Sequence, residues 1–363
     1  MTRALVVGSG PNGLAAAIAL AQRGVEVEVR EAVDHLGGGV HTEELTLPGY
    51  LHDVCATVLP LALGSPFFRT LDLPVGWVQP DAPAAHPLDD GTAVMLERSI
   101  DATVEGLGRD GEAYRKLVEP LVEAWDELAP VALGRVPPPP RRALRALRGA
   151  GLGSLTMAAR TALGDTRSIA ESLFETERAR AWFAGHCAHS MLPLERRPSA
   201  GFGLALLVLG HVAGWPLARG GAGRFADALA ERARELGATL VTGSPVDELP
   251  RDRLVLADVS PRELVRLAGP RLPARYRRRL LAYRHGPGAF KIDWALDGPI
   301  PWTDEAVRGA GTIHVAGDAE ELEASLAAAH AGRLDRPFLL MGQQTVADPT
   351  RAPKGQQIGR AHV

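Results

Sequence analysis

The feature that most constrains this chain is its first thirty residues. Ala4-Leu5-Val6-Val7 is a short apolar run, Gly8-Ser9-Gly10-Pro11-Asn12-Gly13 follows it, and Leu14 to Arg23 is Ala-rich with Leu14, Ile18 and Ala21 on one helical face. Gly24 stands where a helix C-cap belongs. Val25, Val27 and Val29 then alternate with Glu26, Glu28 and Arg30 at the period of a strand. The order strand, turn, helix, strand is a βαβ unit, and it places a GxGxxG sequence on its turn. Gly8 permits the tight turn, Gly10 leaves room for a pyrophosphate against the backbone, and Gly13 lets the helix pack on the sheet. The helix start turns unpaired N–H groups and a positive dipole end toward phosphate. Glu31 ends the second strand, 21 residues after Gly10, where a carboxylate accepts hydrogen bonds from ribose hydroxyls. Its charge disfavours a 2′-phosphate. The expectation is an α/β fold with a Rossmann-like dinucleotide-binding domain.

A chain of 363 residues has room for two domains. With 40 basic and 43 acidic residues, its net charge of −3 argues against a general nucleic-acid binder. Cys55 and Cys187 are the only cysteines, which excludes a disulfide scaffold, a cysteine zinc site and a CxxC redox pair. Lysine occurs only at 116, 291 and 354, an Arg-for-Lys bias that reads as GC-rich coding rather than chemistry. The apolar run after Met1-Thr2-Arg3 is interrupted at Gly8, a poor signal-peptide core. The stretch Ala200 to Ala213 is too short to span a bilayer and contains His211. A cytoplasmic location is the default expectation.

Further along, Tyr114, Leu117, Val118, Leu121, Val122, Trp125 and Leu128 fall at helical spacing, which predicts a helix over 112–128 with a kink at Pro120. Pro137 to Pro140 is a stiff connector. Arg141, Arg142, Arg145 and Arg148 then alternate with Leu144 and Leu147. This is a solvated helix face, with contact to an anionic membrane surface as the alternative. Gly220-Gly221-Ala222-Gly223 opens a second helix through Phe225, Leu229, Ala233 and Leu236, closed by Gly237 and followed by a strand at 238–241. Phe290, Ile292, Trp294 and Leu296 alternate with Lys291, Asp293 and Ala295, the pattern of an antiparallel strand, and 312–316 and 338–341 read as two more. Parallel units interrupted by helical and antiparallel segments imply two domains visited alternately. The division is 1–66 with 219–283 for the nucleotide domain, and 67–218 with 284–350 for an α+β substrate domain.

Six residues past Glu31 comes a second glycine cluster, Gly37-Gly38-Gly39, followed by Val40-His41-Thr42. Another stretch of bare backbone pressed against the cofactor favours FAD over NAD. The succession of GxGxxG, Glu31, Leu36-Gly37-Gly38-Gly39, Thr42 and Leu47-Pro48-Gly49-Tyr50 resembles the phytoene-desaturase-related FAD oxidoreductases, within the amine-oxidase and glutathione-reductase-like flavoprotein class. Arg219-Gly220-Gly221, Ser244-Pro245-Val246, Ala257-Asp258-Val259-Ser260-Pro261 and Phe290-Lys291-Ile292-Asp293-Trp294 resemble the same family. The resemblance implies that Gly8, Ser9, Gly10, Pro11, Asn12 and Gly13 cradle the FAD pyrophosphate and that Glu31, with Ala32 after it, holds the adenosine ribose. It also implies that Gly37, Gly38, Gly39 and Thr42 run alongside the cofactor and that the Val246 backbone meets the adenine. Hydride removal from a small lipophilic or amine-bearing organic substrate is the implied reaction.

Three departures accompany it, one of them the hairpin between Val246 and Val255, which is reduced to Asp247–Leu254. Val40 follows the glycines where many relatives have Arg, and the Gly-rich segment with which the family closes over the flavin is absent. The terminal Ile358-Gly359-Arg360-Ala361-His362-Val363 matches one reading frame of a common sequencing adapter. The expectation is therefore a truncated chain whose tail, 351–363, ends in six non-native residues, exposed and without regular structure. His186-Cys187-Ala188-His189 has close ligand spacing but reads as packed side chains rather than a metal site. His189 and His211 are weaker candidates for a substrate cavity, and the sequence singles out no catalytic residue. An NAD-dependent dehydrogenase, or a non-catalytic flavoprotein fragment, are the competing readings.

Overall fold

The computed structural model describes residues 2–333 and 336–362. Its first sheet has four parallel strands in the order Leu254–Ala257, Arg3–Val7, Glu26–Arg30, Thr239–Val241. The helix Pro11–Ala21 leaves the first strand directly, and Pro11 at its first position gives up only an N–H that would be unpaired there anyway. It buries Gly13, Leu14, Ala17 and Ile18, while the helix Gly223–Glu235 buries Phe225, Leu229 and Ala233 beside it. Both close over Ala4, Val6, Val27 and Val29. Each such aliphatic side chain contributes roughly 1.5–3 kcal/mol when fully buried. Leu5 and Val7 point to the other face, where Val246 and Leu267 cover them. Helices on both faces of a parallel sheet are the α/β arrangement that the opening residues predict.

The second sheet has six strands, ordered Lys291–Leu296, Gln357–His362, Leu339–Gly342, Ala310–Val315, Ala82–Pro87, Ala93–Leu96. Ala310–Val315 runs parallel to Ala82–Pro87, and the other neighbours are antiparallel. One face presents Ala85, Ile313 and Met341 to Val307 and Trp302. The opposite face carries Ala84, His86, His314 and Leu340 toward a helical layer. That layer holds the largest core, built on Tyr114, Leu117, Trp182, Phe183 and Leu207. The two sheets thus draw on alternating stretches of the chain.

Two details differ from the sequence expectations, the break in the 112–128 helix and the form of the tail. The helix expected over 112–128 breaks at Ala124 rather than at Pro120, into Gly111–Glu123 and Trp125–Ala132. Trp125 turns into the core there, where its Nε1 donates to the Gly64 carbonyl at 2.9 Å. The helix Pro140–Leu163 carries Arg141, Arg142, Arg145 and Arg148 on its exposed side and is interrupted at Gly151, whose φ is 77°. The expectation of an exposed, irregular tail is corrected. Gln357–His362 is a strand paired on both sides, with Ile358 opposite Ala295 and Ala361 opposite both Ile292 and Met341. Ile358 is 1% exposed. Pairing here is made by backbone groups, and Ile358 and Ala361 supply the apolar side chains, so the segment gives no structural support to a truncated chain. Val363 lies outside the described residues. Among the described residues no helix is long and apolar enough to cross a membrane.

Candidate functional site

The glycine turn is fixed by close approach. Gly8 has φ +98° and donates to the Arg30 carbonyl at 2.9 Å, and a Cβ on it would lie 2.5 Å from the Asp258 carbonyl oxygen. A Cβ on Gly13 would lie 2.2 Å from the Gly8 carbonyl oxygen. Gly8 and Gly13 are therefore required by the fold itself. Gly10 is different, because its φ of −59° suits any residue and a Cβ would meet only Asp258 Oδ2, at 3.1 Å. What the missing side chain at Gly10 leaves is open space at the helix start.

Asp258 is a residue that the sequence reading left without a role. Its Oδ2 accepts the Gly13 N–H at 2.9 Å, a carboxylate seated on the positive end of the Pro11–Ala21 helix. The register of the two strands explains it. Val7 is paired with Ala257, so the next residue on each strand, Gly8 and Asp258, emerge together. Asp258 Oδ2 thus faces both ends of the glycine turn, 2.9 Å from the Gly13 nitrogen and 3.1 Å from where a Cβ on Gly10 would lie.

Glu31 reaches back to the same turn. Its Oε2 accepts from the Ser9 N–H at 2.8 Å and from Ser9 Oγ at 2.7 Å. Burial raises its pKa, but the Ser9 and backbone hydrogen bonds outweigh that, and the net shift is downward. The carboxylate is thus held ionised and pinned to the loop. Ser9 is fully buried, and Ala32, which follows Glu31, is exposed at the strand end. Pro11 and Asn12 sit at the mouth, partly buried and exposed respectively.

The second glycine cluster packs on the first. Gly37 donates to the Ser9 carbonyl at 3.1 Å, and a Cβ on Gly38 would lie 3.2 Å from Gly10 Cα. Gly38 has φ +56°, a conformation that glycine adopts without strain. From there the backbone runs alongside 54–56, with Ala56 donating to Gly39 at 3.0 Å and Val54 to His41 at 2.9 Å. Thr42 ties it to the second helix start: its Oγ1 donates to Asp53 Oδ1 at 2.7 Å and accepts from the Gly223 N–H at 2.9 Å. Val246 is buried under the outer face of the parallel sheet, its carbonyl accepting from Arg266 Nη2 at 3.0 Å, two residues past Ser244, whose N–H donates to the Glu31 carbonyl at 2.8 Å.

Beneath this backbone lies a charged cluster that local pattern could not reveal, because it joins residues hundreds apart. Arg351 Nη2 and Asp53 Oδ2 are 2.9 Å apart, and both side chains have no exposed surface. Lys291 Nζ donates to the Asp53 carbonyl at 3.0 Å and pairs with Asp293 Oδ2 at 2.7 Å. His52 Nδ1 stands 3.7 Å from Asp293 Oδ1, and burial holds its pKa below the ordinary histidine value. These groups fix the segment after Thr42 to the six-stranded sheet.

The two histidine candidates sit in the helical layer. His189 Nε2 lies 2.8 Å from His314 Nε2, one donating and the other accepting, and its ring packs on Trp215. His211 Nε2 is 2.6 Å from the Tyr114 hydroxyl, and its Nδ1 is 3.1 Å from the Arg98 carbonyl. None of these partners belongs to the glycine turns. Burial lowers His186 and His189 to about 3 and His86 to about 4, and holds His314 well below its ordinary value. Burial pushes the Cys187 thiol up to about 12, so it is inert at neutral pH. Among the described residues no group of three or more His, Cys, Asp or Glu is arranged to hold a metal ion.

Residues 6–72 match the model of the NAD(P)-binding Rossmann-like domain family. The chain is 27% identical over 277 residues to pyridine nucleotide-disulfide oxidoreductase domain-containing protein 2 of Rattus norvegicus, a match covering 67% of this chain and 47% of the relative. It thus spans about half the length of the curated relatives it matches. Its fold is that of an oxidoreductase from Methanosarcina mazei (TM-score 0.63, 18% identity, 99% of this chain and 78% of that one). Cyclohexylamine oxidase from Brevibacterium oxydans is similar in the same way (TM-score 0.55, 17% identity, 100% and 75%). The architecture shared with these oxidoreductases is an α/β fold with a Rossmann-like NAD(P)-binding domain.

Proposed function

We propose that this chain is a flavoprotein oxidoreductase that binds FAD along the two glycine clusters and removes a hydride from a small lipophilic or amine-bearing organic substrate. The observation that carries the reading is the contact of Gly38 with Gly10, with Gly37 hydrogen-bonded to Ser9. A nicotinamide dinucleotide needs the first cluster and Glu31. A second bare backbone laid against that cluster is what a longer, flatter cofactor would use. The residues present fit the group: Gly10 carries no side chain at a helix start, Glu31 is held ionised for ribose hydroxyls, and the second glycine stretch adjoins the same turn through the Gly37–Ser9 hydrogen bond.

When bound, the flavin would supply the hydride acceptor, and the protein's part is binding, orientation and exclusion of water. Gly10 and the start of the Pro11–Ala21 helix would receive the pyrophosphate, with Asp258 fixing the Gly13 side of the turn. Glu31 would take the ribose. Thr42, bridged to Asp53 and Gly223, would hold the crevice wall in place. The similarity to an amine oxidase supports an amine among candidate substrates, and the phytoene-desaturase-like residues of the first fifty positions support an apolar one. Disulfide chemistry has no basis in this chain: Cys187 is buried, Cys55 is exposed beside Gly39, and both are free.

The test is the visible spectrum of the purified protein, followed by anaerobic mixing with cyclic amines and with polyenes. Flavin absorbance that bleaches with either class supports the reading. A colourless protein that FAD does not restore, and that binds NAD instead, refutes it.

A further inference from the structure

The segment after the helix Pro261–Ala268 has an unusual surface. Between Leu264 and Ile292 there is no Asp or Glu, while Arg266, Arg271, Arg275, Arg277, Arg278, Arg279, Arg284 and Lys291 all fall there. Arg266 and Lys291 are matched by Glu263 and Asp293. Among the described residues, Arg275, Arg277, Arg278, Arg279 and Arg284 make no ion pair. From Pro273 to Phe290 only Leu280 and Pro287 are less than exposed. The helix Ala274–Leu281 inside this stretch buries no residue at all. Interleaved with the arginines are exposed Tyr276, Leu281, Tyr283, Phe290 and Ile292, from 44% to 65% accessible.

An eight-residue helix that buries none of its residues is marginal in water, because short helices owe their stability to a buried face. Its sequence points to what would supply that face. Arginines attract an anionic surface, tyrosine and phenylalanine settle at the boundary between headgroup and acyl chain, and leucine and isoleucine enter below it. A nucleic acid would use the arginines and the aromatic rings but has no use for Leu281 and Ile292. The other basic face, Arg141 to Arg148, belongs to a helix that does have a packed side, through Ala146 and Ala150. That helix therefore needs no further partner to be stable.

We propose that the surface formed by 271–292, centred on the helix Ala274–Leu281, docks this protein peripherally on an anionic phospholipid membrane. The proposal is independent of the flavin reading. The test is co-sedimentation of the full chain with vesicles of pure phosphatidylcholine and of phosphatidylcholine with about a third phosphatidylserine, at low and high salt. Binding is expected only to the anionic vesicles and falls with salt, as polybasic attraction does. Arg275→Ala, Arg277→Ala, Arg278→Ala and Arg279→Ala combined should weaken it at least tenfold, while circular dichroism and thermal unfolding stay near the parent's. The combined alanine variant of Arg141, Arg142, Arg145 and Arg148 should bind like the parent. Equal binding by the first variant, or loss confined to the second, overturns the assignment of this surface. Absence of vesicle binding, or retention of an oligonucleotide instead, overturns the membrane.

Discussion

Lowering the pH from 7 to 5 should destabilise this protein far more than its carboxylates would. His86, His186 and His189 sit between the helix Glu177–Ala188 and the six-stranded sheet, with pKa values brought down by burial to about 4, 3 and 3. The unfolded chain takes up protons on these residues as pH falls through about 6.5, and the folded chain does not. Their neutral burial is therefore harmless above pH 6.5 and increasingly costly below it, down to the folded values. Each contributes about 1.4 kcal/mol per pH unit in that window, so the three together give a slope of about 4 kcal/mol per unit. Typical domains have only about 5–15 kcal/mol in all. The lowered carboxylates, Glu28, Glu31 and Asp165, lose their contribution in a separate window, below their ordinary values of 4.5 and 3.8. Urea unfolding at pH 7.5, 6.5, 5.5 and 5 would measure the slope. His186→Phe should remove about a third of it, since one of the three titrating rings is gone, together with the bond from His186 Nδ1 to the Trp182 carbonyl at 2.8 Å. A free energy of unfolding that stays level from pH 6.5 to 5 would refute the neutral burial of these histidines.

Gly10→Val should abolish flavin binding while the protein still folds, because Asp258 Oδ2, 3.1 Å away, is among the described residues the one atom outside the neighbouring residues within 4 Å of the added Cβ, and flavin retained by the folded variant would exclude this turn as the site. Gly13→Ala should instead lower stability by roughly 1–3 kcal/mol, since its Cβ would lie 2.2 Å from the Gly8 carbonyl oxygen, and denaturant melts compare the two. Glu31→Ala removes a charged acceptor, worth roughly 1.5–3 kcal/mol, so calorimetric titration should show FAD affinity reduced about ten- to a hundredfold. Arg351→Ala leaves the fully buried Asp53 carboxylate unpaired, at a cost of about 3–5 kcal/mol, and the melting temperature should fall by on the order of 10 °C.

The parallel sheet was legible because its determinants are local. The glycine spacing, the valine alternation at 25–29 and the Gly220–Gly223 helix start each lie within one turn or one strand. The contact of Gly38 with Gly10 was legible only as a composition hint, and the strand ends had to meet before it became a geometry. Asp258 was out of reach for a different reason. Its role depends on register with Val7, some 250 residues away, and nothing in Ala257-Asp258-Val259 announces it. The Asp53–Arg351 and Lys291–Asp293 pairs are non-local in the same way, and an ion pair has no period to betray it. At the tail, a match to a foreign reading frame says nothing against strand formation. Six residues with Ile358 and Ala361 on the apolar positions are enough to add a strand to a sheet.

The central claim, that two glycine clusters in contact hold FAD, is tested most directly by equilibrium titration of the apoprotein with FAD and with NAD under identical conditions. The account predicts one FAD per chain, bound at least tenfold more tightly than NAD and weakened by Gly38→Val, whose Cβ would lie 3.2 Å from Gly10 Cα. NAD binding as tightly as FAD, with Gly38→Val leaving both unchanged, would contradict it.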